Sequence, residues 1–98
     1  MSLQEQQSQF TRMVAALINH ATELGYELTF GDAFATDGHK DGSFHYVRLA
    51  VDFNLFIDGV YQTSTKSHQK LGEYWESIGG TWGGRFEHKD GNHYSLGE

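Results

Sequence analysis

The 98-residue chain contains no cysteine, which excludes a disulfide framework and any thiolate metal site. Basic residues are few: seven Lys and Arg lie scattered against thirteen Asp and Glu, for a formal charge of −6. With no basic run to meet a phosphate backbone, nucleic acid is not an expected partner. No apolar stretch approaches membrane-spanning length, so membrane insertion is not expected either. The start, M-S-L-Q-E-Q-Q-S-Q-F, lacks the basic opening and apolar run of a signal peptide, and the chain is expected to be made in the cytoplasm. No repeat, low-complexity tract or linker interrupts it. The length suits one small core, and residues 1–98 are read as a single domain, expected to be monomeric.

What is present is a foldable globular composition, 38% hydrophobic and 14% aromatic. In so short a chain the buried fraction is modest, so a bound metal would add noticeably to stability. Ser2 followed by Glu5 fits a capping box. Phe10, Met13, Val14, Leu17, Ile18, Ala21 and Leu24 then recur at three- and four-residue intervals, predicting a helix that ends at Gly25. Tyr26 to Phe30 alternates as a strand, and the Gly- and Asp-rich segment from Gly31 to Ser43 reads as a loop. Val47 to Ile57 is apolar and β-branched, a predicted central strand, and Asp58-Gly59 is a hairpin signal leading into Val60-Tyr61-Gln62. A second helix is expected from about Ser67 to Ile78, with Leu71, Tyr74, Trp75 and Ile78 on one face and Gly79-Gly80 as its stop.

Two histidines and two aspartates stand out: His45 with Asp52 in S-F-H-Y-V-R-L-A-V-D-F, and Asp90 with His93 in D-G-N-H-Y. Asp52 interrupts an apolar run, and a carboxylate in a buried strand is costly unless a cation or hydrogen-bond donor meets it. Simple alternation is the competing account, with Val51, Phe53 and Leu55 facing the core while Asp52 and Asn54 face solvent. His45 and Asp52 are seven apart, which on a regular strand means opposite faces. Both reach one metal only if His45 lies in the loop before the strand or a bulge intervenes. Asp90-Gly91-Asn92-His93 reads as a tight turn, with a self-capped surface turn as the plain alternative. His20, His39, His68 and His88 have no comparable context and are expected to face solvent in the main. Spacing alone leaves metal site and plain structure both open.

Taken together, S-x-H-x(6)-D, W-G-G-x-F and D-x-x-H resemble the zinc D-Ala-D-Ala carboxypeptidase and phage endolysin peptidase family, in particular its small L-alanyl-D-glutamate peptidases. With the N-terminal helix the likeness runs from about Phe10 to Tyr94. The resemblance implies Zn2+ held by His45, Asp52 and His93, with Asp90 as the catalytic acid and base. Under it, Asp90 would take a proton from water and return it to the departing amine. Ser43 would support the site by hydrogen bonding, and Trp82, Gly83 and Gly84 would wall the cleft, core packing being the other account of them. The implied substrate is the stem peptide of bacterial peptidoglycan, met at the cell wall after release.

Three departures bear on substrate choice. The loop before Ser43 is short and lacks an Arg that many relatives use to hold the substrate carbonyl; Lys40, His39 or Arg48 are the available substitutes. Arg48 itself stands where Gly is frequent. The segment after His93 reads Y-S-L-G-E, not the commoner aromatic-Glu ending. The expected fold is α+β, hedgehog/D,D-peptidase-like: a small antiparallel sheet, two packed helices and zinc at the sheet's edge. Alternatives to the endopeptidase are a D,D-carboxypeptidase, a non-catalytic zinc-stabilised binding or structural module, and an assembly component without chemistry.

Overall fold

A computed structural model describes residues 1–98. The first helix, α1 (Leu3–Glu23), opens with the capping box: Ser2 Oγ accepts from the Glu5 amide at 3.1 Å, and Glu5 accepts from the Ser2 amide at 3.0 Å. Its apolar stripe buries Phe10, Met13, Leu17 and Ala21, with Val14, Ile18 and Leu24 packed at the margin. Gly25, at φ 78°, turns the chain into β1 (Tyr26–Phe30).

The central strand, β2 (Ala50–Ile57), begins three residues later than the apolar run suggests. Phe44–Val47 forms a 3-10 turn, and Arg48 takes a left-handed conformation at φ 59° before the strand starts. The reason is local: the Arg48 and Leu49 amides both return to the Phe44 carbonyl, closing a compact turn where an extended chain would leave these groups to a neighbouring strand. Along one edge of β2 runs β1, pairing Tyr26 with Ile57 through Phe30 with Phe53. The Asp58-Gly59 turn, both residues at positive φ, returns β3 (Val60–Gln62) against the end of β2.

A 3-10 turn at Lys66–His68 leads into α2 (Gln69–Ser77), which stops at Gly79 with φ 102°. The short β4 (Thr81–Trp82) pairs with β5 (His93–Ser95), and β5 pairs in turn with the first half of β2. The sheet is antiparallel, ordered β1-β2-β5-β4 with β3 also on β2, and the two helices pack on it. The α+β expectation is met. No helix is long and apolar enough to cross a membrane.

The core lies between the helices and the inner face of β2, where Val51, Phe53 and Leu55 point. Trp75 meets Phe10 and Tyr94 edge-on at 5.8 and 6.0 Å, and its indole N–H donates to the Ser95 carbonyl at 2.8 Å. Large aromatic area is thereby buried without stranding a polar atom. Gly72 is a contact glycine, since a Cβ there would run into the Trp82 ring.

His68 is not solvent-facing. It is 3% exposed, its Nδ1 pairs with the Tyr94 hydroxyl at 2.8 Å, and burial pushes its pKa down to about 4 from an ordinary 6.5. The unfolded chain therefore binds this proton more readily than the folded one. The folded state's advantage is complete above pH 6.5 and declines as pH falls towards about 4. The gap corresponds to on the order of 3 kcal/mol. Urea melts at about pH 7 and about pH 4.5 should show wild type losing more stability than His68→Gln; parallel losses would remove His68 as the cause.

Candidate metal centre

Antiparallel pairing sets Asp52 directly opposite His93, with Val51 opposite Tyr94. Because side chains alternate, Val51 and Tyr94 enter the core while Asp52 and His93 share the other face. Alternation along β2 holds as the plain account supposes. On that face Asp52 lies against His45 and His93, and its side chain is only 18% exposed.

His45 reaches this face from the 3-10 turn ahead of the strand, which resolves the spacing problem. Ser43 caps that turn, its hydroxyl accepting from the His45 amide at 3.3 Å. His45 Nε2 stands 3.3 Å from Asp52 Oδ1, and His93 Nδ1 stands 3.5 Å from the same oxygen. Yet Asp52 Oδ1, although buried, makes no hydrogen bond of good geometry, so neither approach satisfies it.

The donor types, and the approach of each histidine to Asp52, suit a divalent metal, although His45 and His93 fall in separate close sets around that carboxylate. Two donors bound to a tetrahedral zinc at about 2.0–2.1 Å stand roughly 3.4 Å apart, and both approaches to Asp52 have that separation. Nitrogen and carboxylate donors suit zinc, and an unpartnered buried carboxylate oxygen is a group a cation would satisfy. Asp52 belongs to two sets of metal-capable atoms, one with His39 and His45 and the other with Asp90 and His93, each within 4.8 Å.

Asp90 sits differently. Its side chain is half exposed and Oδ2 lies 4.0 Å from His93 Nδ1, beside the donors and open to the cleft. Burial first, then the Asp52 charge, raises its pKa above the ordinary carboxylate value, against a smaller opposing pull from His93. Burial alone would lower His93, but Asp52 and Glu98 outweigh it and hold this imidazole above its usual value. His45 goes the other way, lowered chiefly by burial.

The W-G-G segment has a spatial reason. The Trp82 indole donates to the Gly91 carbonyl at 2.7 Å, and the Asp90 amide donates to the Gly83 carbonyl at 2.9 Å. These bonds pin the Asp90–His93 turn, itself closed from the His93 amide to the Asp90 carbonyl at 3.1 Å. A Cβ at Gly83 would collide with the Asp90 carbonyl and crowd the His93 side chain. Trp82, buried in the core, therefore holds the turn from behind and does not form a substrate-facing wall.

Of the anticipated substrate-binding residues, His39 and Ser43 line the cleft, a cavity of about 520 Å³ that also takes in Lys40. His39 stacks on His45 at 4.1 Å between ring centroids, and its Nε2 meets Asp32 at 3.0 Å. It thus lies beside His45 in the cleft. Arg48 is not brought to the cleft. Its left-handed backbone sends the guanidinium over the Phe34 ring, 3.9 Å from the centroid, beside a separate apolar cavity. Glu98 went unnoticed in the sequence: its Oε1 lies 2.6 Å from His93 Nε2. Nothing in local spacing marks it, because the contact depends on how the chain folds back after β5.

A family model described as D-alanyl-D-alanine carboxypeptidase matches residues 36–96, more than half of the chain and all four of His45, Asp52, Asp90 and His93. No curated protein matches the chain.

Gly83→Ala should shift the Asp90–His93 turn, lowering stability by about 1–3 kcal/mol and weakening zinc binding. Urea melts and chelator competition would measure both. If neither moved, close approach would not be what the position requires.

Proposed function

The chain belongs to the D-alanyl-D-alanine carboxypeptidase family, and on that footing we propose that it is a zinc peptidase cutting the stem peptide of bacterial peptidoglycan. Within that reading its act is that of a phage-type L-Ala-D-Glu endopeptidase, carried out at the cell wall after release by a single domain spanning residues 1–98. The observation that carries the proposal is the meeting of His45, Asp52 and His93 around one unpartnered oxygen, with the more open Asp90 beside them in the same cleft.

In this reading His45, Asp52 and His93 hold the zinc. Bound there, the metal would supply Lewis acidity to a water and to the scissile carbonyl. The chain's own residues do the remainder. Asp90 accepts the attacking water's proton and delivers it to the departing amine nitrogen, a role suited to a half-exposed carboxyl with raised proton affinity. Packing of Trp82 and Gly83 against the turn keeps Asp90 at that distance through the reaction. His39, backed by Asp32, and Lys40 provide the donors for a substrate carbonyl that Arg48 is too far round the molecule to give.

A second cavity, of about 300 Å³ and bounded by Thr63, Ser64, Thr65 and Lys89, also reaches Asp90. Two cavities bordering the proposed catalytic carboxylate leave room for more chain than a terminal residue, which favours an internal bond. The family description favours instead the removal of a terminal D-Ala, for which Lys40 would meet the free carboxylate.

Purified peptidoglycan incubated with the protein, followed by mass spectrometry of soluble products, decides between them. Stem peptides with a new D-Glu amino terminus are expected, and chelation should abolish their release. Free D-alanine as the sole product would establish the carboxypeptidase. Asp90→Ala should lose about 10²–10⁴-fold in turnover while retaining zinc. If wild type bound one zinc per chain and released no product, a zinc-stabilised binding module would replace the peptidase.

A further inference from the structure

The two histidines of the centre differ in what stands behind them. His45 Nδ1, the nitrogen turned away from Asp52, is buried without a partner. The corresponding nitrogen of His93, Nε2, lies 2.6 Å from Glu98 Oε1, and the two side chains are 5% and 11% exposed. Glu98 follows the stretch that matches the family model, which ends at residue 96.

How Glu98 arrives is visible in the backbone. The Leu96 amide donates to the Leu49 carbonyl at 3.0 Å, prolonging the β5 edge beyond its last strand residue. Leu96 also packs against the core, so the chain is anchored at that point. Gly97 then takes φ 98°, a conformation that favours glycine, and turns the next residue back over the cleft. Phe86 packs against the His93 ring at 5.4 Å, restricting its rotation from another direction.

We propose that Glu98 is a positioning residue for the metal centre: its carboxylate accepts the Nε2–H of His93 and so leaves the Nδ1 lone pair aimed at the site shared with Asp52. An imidazole has one proton to place when neutral, and a carboxylate at hydrogen-bond distance from one nitrogen commits the proton there. The other nitrogen is then the donor available to a cation. Such an outer carboxylate also raises the basicity of the ligand and fixes the plane of the ring. The proposal rests on the zinc-site reading only for its consequence; the tautomer itself is a property of this chain without any metal.

Two measurements on the full chain test it. Long-range proton–nitrogen correlation NMR of the metal-free protein, at a pH where His93 is neutral, should show the proton on Nε2. In Glu98→Ala the two tautomers should mix. Chelator competition should find zinc binding weakened about 10–100-fold in Glu98→Ala, with Glu98→Gln between it and wild type because an amide oxygen still accepts. A wild-type proton on Nδ1 would overturn the proposal, as would a Glu98→Ala affinity within about twofold of wild type. Absence of zinc binding by wild type would sink the zinc peptidase reading, while the NMR comparison would still decide for or against Glu98.

Discussion

The register between β2 and β5 is the constraint on which the rest depends. Asp52 opposite His93 and Val51 opposite Tyr94 form one pairing with two consequences, one on each face of the sheet. On the inner face, Tyr94 locks against Phe53, Trp75 and His68. On the outer face, a carboxylate and an imidazole arrive together. A slip by one residue would carry His93 towards the core and Tyr94 into the cleft, losing aromatic burial and the donor set in one step. The core therefore protects the site's geometry, since the packing that opposes a slip is the packing of Tyr94.

The elements around that pairing have matching roles. A 3-10 turn, capped by Ser43 and ended by left-handed Arg48, delivers His45 to the face that an extended chain would have denied it. Gly83 opens a further 3-10 turn, Gly83–Arg85, and lets it lie directly against the Asp90–His93 turn, while Trp82 bonds the Gly91 carbonyl from behind. Held in this way, three carboxylates, Asp52, Asp90 and Glu98, surround His93 in a partly buried space. Unpaired negative charge there is costly, and the lone oxygen of Asp52 shows that hydrogen bonds inside the chain do not discharge it. A divalent cation would relieve this tension and add its binding free energy to folding. Across 98 residues of fold that contribution would be a substantial fraction of a typical stability.

Exposure divides the site into parts. The histidines are nearly sealed and Asp52 is mostly so, which would suit the ligand role proposed for them, whereas Asp90 remains half open to the cleft. Proximity to Asp52 and partial burial act in the same direction on Asp90, raising its affinity for a proton. In the proposed role of accepting and returning a proton that shift would help, because a carboxyl at its ordinary value is a weak base near neutrality. Structural placement and chemical tuning thus come from the same turn.

Local patterns wrote much of the fold. The stripe from Phe10 to Ala21, the Ser2–Glu5 capping box, the Asp58-Gly59 turn and the Gly79 stop each depend on residues within one or two turns of chain, and each is present. Three motif segments, read jointly, pointed to the family, and the four residues they carry come together in the fold. What local reading missed was decided by long-range contacts. Apolar composition extended β2 back to Val47, but backbone hydrogen bonds to Phe44 closed a turn there. His68 looked like a surface residue until Tyr94 approached it, and Arg48 looked like a substrate ligand until its backbone turned it onto Phe34. Glu98 became a partner of His93 through a turn at Gly97 that has meaning only once β5 is docked. Sequence alone determined the kinds of elements and the set of chemical groups, since periodicity and residue type are local properties. Tertiary structure alone decided which face each group occupies and which groups meet, since strand register and turn geometry are settled by packing between segments far apart in the chain.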